Sequence, residues 1–311
     1  MYASSRTLTA DDGTTLFVRR WIPDAGVPVH AVVQIAHGMA EHSARYADLA
    51  GQLCKAGFEV WANDHRGHGP HCAKDNLGHP ADDDGFFQLV RDMKKVSEEI
   101  ARELPGKPLF LLGHSWGSFL AQGYIERWGD QLAGCALSGT RGPGGFDVSI
   151  GAALASAIAF FGGPKRHSPL MRSMADGPLN TRFKPNRTDF DWLSRDTTVV
   201  DAYVEDPLCG FPCSVAYYRD LAKGLLSVHS LKNMSKIPKE LPVFVFVGAS
   251  DPVGLEGRSP AALVESYRSL GIRDLEFTVY PDARHETLNE TNKEEVISNL
   301  LLWLKRLAPA A

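Results

Sequence analysis

One G-x-S-x-G segment, Gly113-His114-Ser115-Trp116-Gly117, directly follows the apolar run Leu109-Phe110-Leu111-Leu112 and precedes a helical pattern from Phe119 to Trp128. Strand, sharp turn and helix is the setting that holds a serine on a strained backbone with its hydroxyl presented at the top of a sheet. The flanking glycines suit that turn, because neighbours without side chains let the helix approach closely. The bland alternative is a glycine-bearing turn without chemistry. A serine hydroxyl is a weak nucleophile at neutral pH, so a base must take its proton and a carboxylate should orient that base. Asp251 ends the apolar run Val243 to Ser250, and His285 follows Leu275 to Tyr280 through Pro281-Asp282-Ala283-Arg284. The rival groups are worse placed. His229 lies outside any strand-to-loop junction, His114 flanks the serine, and Asp274 and Asp282 lack a preceding strand. Ser115, Asp251 and His285 are therefore the candidates for nucleophilic acyl transfer.

Acyl transfer also needs donors aimed at the developing oxyanion. The first strand-end loop, His37-Gly38-Met39, lies where one would be supplied, and the backbone N–H groups of Met39 and Trp116 are the candidates. Gly38 as a plain turn residue is the competing reading. His65, His68, His71 and His79, with Asp64 and Cys72, imitate a metal cluster, but a glycine-rich loop with a two-residue gap fixes no tetrahedron. No metal is expected there. Cys209 and Cys213 flank Pro212, which disfavours a regular helix, so two core or boundary thiols are the ordinary reading. Neither a Walker A pattern nor a G-x-G-x-x-G after the first parallel strand is present, so no nucleotide and no other cofactor is expected.

These residues need strands to carry them. Thr7–Thr9 and Leu16–Trp21 flank Asp12-Gly13, a dipeptide suited to a tight reversal, and predict an opening antiparallel hairpin. Antiparallel pairing is expected there only. The runs 31–36, 59–62, 109–112, 134–137, 243–247 and 275–280 read as strands buried on both faces. Ser43 reads as the N-cap of a helix through Tyr46, Leu49, Ala50 and Leu53 that Gly57 stops, and Thr291 with Glu294 as the capping box of a closing helix. That helix would bury Val296, Ile297, Leu300, Leu301 and Leu304. The alternation predicts an α/β fold with a mostly parallel central sheet covered on both sides. It lapses between about Arg141 and Pro238, which reads as an insertion over the carboxyl edge of the sheet.

The 311 residues suit one α/β core with an insertion, and 44% hydrophobic with 23% charged residues excludes disordered and multi-span membrane classes. A net charge of −4 argues against a nucleic-acid partner. Five dispersed cysteines imply no disulfide framework, and the first twelve residues carry no secretory pattern, so a cytoplasmic location is expected. The longest nearly apolar stretch, Val148 to Gly163, is short of the ~20 residues that span a bilayer. It reads as a buried helix or as a lid whose outer face meets lipid.

The combination His37-Gly38-Met39-Ala40-Glu41-His42-Ser43, Asn63 to Gly69, Gly113 to Gly117, Gly248-Ala249-Ser250-Asp251 and His285-Glu286 resembles the bacterial monoacylglycerol lipase and lysophospholipase branch of the α/β-hydrolases, across nearly the whole chain. The resemblance implies an α/β-hydrolase core at 1–140 and 238–311 and an inserted helical cap at 141–237. It puts the family's nucleophile, acid and base on Ser115, Asp251 and His285, and its oxyanion donors on Met39 and Trp116. It further implies that Arg45 reaches a polar substrate head such as a glycerol hydroxyl, the plain alternative being a solvated helix charge. The substrate would be a small amphipathic ester, with transient lipid-surface contact through the cap; a cytoplasmic protein peripheral to membrane fits that. Trp116 replaces a smaller residue and Ser118 a common glycine, so an indole narrowing the acyl site is expected. A thioesterase or peptidase using the same three residues, or a binding protein without turnover, are the other readings.

Overall fold

The computed structural model describes residues 1–144 and 146–308; residue 145, residues 309–311 and the side chains at 146 and 147 fall outside that description. The last three positions of the expected 238–311 core segment and one position of the expected 141–237 cap thus lie outside the described residues. Eight strands, β1 (Tyr2–Thr9), β2 (Thr15–Ile22), β3 (Ala31–Ala36), β4 (Phe58–Asn63), β5 (Leu109–His114), β6 (Gly134–Ser138), β7 (Val243–Gly248) and β8 (Leu275–Tyr280), form one sheet in the order β1-β2-β4-β3-β5-β6-β7-β8. The helices among the described residues are α1 (Ala47–Lys55), α2 (Gly85–Glu103), α3 (Trp116–Trp128), α4 (Phe146–Gly162), α5 (Pro169–Asp176), α6 (Thr197–Glu205), α7 (Val215–Val228), α8 (Leu231–Met234), α9 (Arg258–Ser269) and α10 (Lys293–Leu307).

β3 to β7 are buried at every position, as their unbroken apolar runs require of strands covered on both faces. Full burial of each Leu in β5 contributes roughly 1.5–3 kcal/mol. The same strand is central, between β3 and β6, with Ala36 opposite Gly113 and His114 opposite Ser138. The sheet therefore delivers Ser115 at the middle of its carboxyl edge.

Four local expectations are corrected. Antiparallel pairing is not confined to the hairpin: β2 also pairs antiparallel with β4, where Arg20 donates to Glu59 at 2.6 Å. Adjacency between distant strands has no signature in either strand alone. β8 is not buried on both faces; as an edge strand it has one neighbour, β7, and only Tyr280 is fully covered. Ser43 caps nothing. Its hydroxyl donates to Asp64, while a 3-10 turn from Ser43 to Tyr46 leads into α1. Thr291 likewise makes no capping box; α10 starts after Asn292, whose amide reaches Glu295, and Glu290 occupies Thr291. α10 still buries Val296, Ile297, Leu300, Trp303 and Leu304, and packs Leu301 in part.

β6 ends at Ser138 and β7 begins at Val243. Between them the described residues hold α4 to α8, one short 3-10 turn at Thr181–Phe183 and one isolated bridge, His167 with Ser214. α4 lies on α7 through Val148, Ala152, Ala155 and Ala159, leaving Ile150 and, at its end, Phe160 and Phe161 to solvent. No helix among the described residues is long and apolar enough to cross a membrane.

Candidate active site

Ser115 connects β5 to α3 with φ 51° and ψ −120°, a conformation that costs a side-chain-bearing residue of order 1–3 kcal/mol. Several contacts over-determine it. Its N–H donates to Ser138 O at 2.9 Å, and its carbonyl accepts from Ser118 N at 2.9 Å and from the Ser118 hydroxyl. The glycines are required by space: a Cβ on Gly117 would lie 2.0 Å from Ala36 O, and one on Gly113 2.5 Å from Gly117 O. Ser118 takes the place of a glycine without crowding, because its hydroxyl also meets Thr140 Oγ1 at 2.8 Å.

His285 sits in the loop after β8, and its Nδ1 lies 2.9 Å from Asp251 Oδ1 in the turn after β7. Val253 N–H donates to the same oxygen at 2.9 Å, which fixes the carboxylate. Both side chains are buried; His285 Nε2 has no hydrogen-bond partner. The ring packs tilted against Trp192 at 4.9 Å, and the backbone N–H of His285 donates to Trp192 O at 3.3 Å. Burial pushes the imidazole pKa down, but the charge and hydrogen bond of Asp251, helped by Glu286 and Glu41, outweigh it and hold the pKa above 6.5.

Ser115, His285, Met39 and Trp116 line one cavity of about 810 Å³ beneath α5 and α7. The N–H groups of Met39 and Trp116 donate to no protein acceptor among the described residues. The Met39 loop lies against Ser115, since a Cβ on Gly38 would come within 3.2 Å of Ser115 Cβ. Its backbone is braced from behind by His37 and by His65 and His68 of the histidine-rich stretch. His37 Nδ1 is 2.8 Å from Gly38 O, His37 Nε2 accepts from His65 N–H at 2.9 Å, and His68 Nε2 accepts from Ala40 N–H at 3.2 Å. His71 stacks on Phe17, and His79 is held between Ser214 and Asp82.

The structure does not bring Arg45 to the cavity wall, which corrects both readings of it. The guanidinium is buried behind the loop, donating to Glu286 Oε1 and Oε2 at 2.8 Å each and to Glu41, with its face on Tyr203 at 4.8 Å. Glu41 in turn accepts from Gly38 N–H and from Tyr46 Oη. Burial alone would raise the pKa of Glu41 and Glu286, but the Arg45 charge holds both lowered. Sequence reasoning assigned no role to Glu41, Glu286 or Trp192. Glu41 and Arg45 stand four apart, a readable signal for a pair, whereas Glu286 is 241 positions from Arg45 and Trp192 has no local signature. None of the rival groups bonds to Asp251 or His285, although the His114 ring lies 5.0 Å from that of His285. His114 bonds Ser138 Oγ and is held neutral by burial at a pKa of about 4; His229 bonds Gln122, and Asp274 pairs with Arg306. The Trp116 indole, 3% exposed and 4.3 Å from Tyr217, is part of the cavity wall.

The model of the serine aminopeptidase S33 family of hydrolases matches residues 27–292. The chain belongs to that family. This S33 hydrolase is 27% identical to a monoacylglycerol lipase of Mycolicibacterium smegmatis over 97% of this chain and 96% of that protein. It is 28% identical to the monoglyceride lipase of Homo sapiens, over 96% of this chain and 90% of that protein. A solved structure of a highly thermostable carboxyl esterase from Bacillus coagulans in complex with glycerol superposes with TM-score 0.89 at 25% identity, covering 99% of each chain. The α/β-hydrolase fold read from the motifs is the fold of the S33 chain, and it is a hydrolase.

Proposed function

We propose that this S33 hydrolase cleaves carboxylic esters of small amphipathic alcohols, monoacylglycerols or lysophospholipids, through a Ser115, Asp251, His285 relay and an acyl-enzyme. The observation that carries the reading is a buried imidazole bonded to Asp251 through Nδ1, with an uncommitted Nε2, in the cavity that Ser115 enters on a strained turn. His285 Nε2 takes the Ser115 proton as Oγ attacks the carbonyl, and Asp251 stabilises the imidazolium. The N–H groups of Met39 and Trp116 receive the oxyanion; losing one such donor typically costs ~2.7–4 kcal/mol. The imidazolium then protonates the leaving alcohol, and water repeats the cycle on the acyl-enzyme. No step calls for a cofactor.

Residues 141–237 act as the cap over this cavity. Phe160 and Phe161, 83% and 87% exposed and paired edge to face at 5.1 Å, favour transient contact of α4 with a lipid surface. Relatives named as monoacylglycerol lipases favour esters over amides. Glu41 and Glu286, the acids nearest His285 on the cavity wall, are already matched by Arg45 and so poorly suited to hold a substrate ammonium.

A fluorophosphonate is expected to label the wild type stoichiometrically and Ser115→Ala not at all. Monoacylglycerols and lysophospholipids should then be hydrolysed faster than acyl-CoA or aminoacyl amides. Absence of labelling in folded protein would point to a binding protein without turnover; faster amide cleavage would point to a peptidase.

A further inference from the structure

Among the described residues one cluster brings together three side chains of metal-ligating type, and neither the fold nor the proposed relay uses it. His42 lies just before the 3-10 turn that leads to α1; Asp206 and Cys209 lie in the turn that follows α6. One potential ligand atom from each falls within 4.8 Å of the other two. His42 Nε2 and Asp206 Oδ2 are already 2.8 Å apart, and Leu208 N–H holds the second Asp206 oxygen at 2.8 Å. The remaining His42 nitrogen, Nδ1, is buried without a partner on a ring that is 7% exposed. Asp206 is thus the one hydrogen-bond partner of the His42 ring among the described residues, and an ion between the two would take both as ligands.

The charge around the cluster favours a cation. Arg45, close by, is already shared between Glu41 and Glu286, so Asp206 leaves this group of described residues net negative. Asp206 is also the opening, because its side chain is 31% exposed while His42 and Cys209 are buried. Nitrogen, thiolate and one carboxylate select a borderline or soft ion over Mg²⁺ or Ca²⁺, which prefer all-oxygen shells. We infer that His42, Asp206 and Cys209 form a site for a thiophilic divalent cation of the Zn²⁺ class, three protein ligands with a fourth position for water. Binding releases the Cys209 thiol proton to solvent.

The position gives the site a consequence. Ala40 O, in the loop that carries Met39, accepts from Gly210 N–H and from Tyr203 Oη at 2.9 Å each. A cation on His42, Asp206 and Cys209 would add an ionic tie at this same seam. The inference is independent of the ester-hydrolase reading, and its test is direct binding rather than turnover. Titrating the purified full chain with Cd²⁺ is expected to raise an ultraviolet cadmium–thiolate charge-transfer band that saturates at one equivalent and is erased by Zn²⁺. Cys209→Ser should abolish the band, and Asp206→Asn should weaken Zn²⁺ binding by about tenfold or more in calorimetry, with circular dichroism confirming that both fold. No band from folded wild type at stoichiometric Cd²⁺ would overturn the inference. So would Cys209→Ser binding Zn²⁺ as tightly as wild type, because the ion would then sit elsewhere, for instance on His285.

Discussion

As the proposed base, His285 has its proton affinity held up against burial by Asp251, Glu286 and Glu41 together. Its neutral form is the active one, so kcat/KM is expected to fall as pH drops through a value above 6.5, and a profile flat from pH 5 to 8 would exclude it as the base. The sign for stability is opposite. A raised pKa means that the folded state favours the imidazolium, so this contribution is full in acid and lost as pH rises through the raised value. Arg45→Met is expected to cost about 3–5 kcal/mol in urea unfolding at pH 7, because it strands Glu41 and Glu286 as buried charges. The deficit should narrow as pH falls and the two carboxyl groups protonate. The placing of Ser115, Asp251 and His285 at strand ends was readable because each ends or follows an apolar run. The true setting of Arg45 was not, since half of its partnership comes from the far end of the chain.

Elements obey the same division between local and distant information. The hairpin followed from Asp12-Gly13 between two runs of strand-forming residues, and β3 to β7 from apolar runs too short for helices. Burial of β8 was misjudged because its sequence cannot tell whether a second neighbour exists; cap assignments at Ser43 and Thr291 failed because Asp64 and Glu290 claim those groups from outside the helix. The α3 start shows how little tolerance a junction can have. Gly117→Ala would drive a methyl into Ala36 O, and neither backbone can retreat without breaking the β3–β5 ladder. We expect more than about 3 kcal/mol of destabilisation, or failure to fold, read from the denaturation midpoint. Gly151→Ala, where nothing stands within 4 Å, is the control and should be neutral or slightly stabilising.

At the scale of the molecule, the sheet fixes one wall of the cavity and the segment between β6 and β7 supplies the other. Composition and pattern located that segment but not its internal order, since short helices stabilised by tertiary packing leave a weak periodic signal. If α4 meets lipid, Phe160→Ser with Phe161→Ser should lower hydrolysis of vesicle-borne monoacylglycerol by about tenfold or more, since each ring forfeits roughly 1.5–3 kcal/mol of burial. Hydrolysis of a dissolved short-chain p-nitrophenyl ester should be unchanged, which separates surface docking from chemistry. The doubly bonded Ala40 carbonyl bears on how the molecule admits its ester. It ties both ends of the stretch from Tyr203 to Gly210 to the loop that carries Met39, whereas α4 and α5 have no such tie to that carbonyl. If α4 does meet lipid, an amphiphile entering past Phe160 and Phe161 would pass from bilayer to cavity without a detour through bulk water.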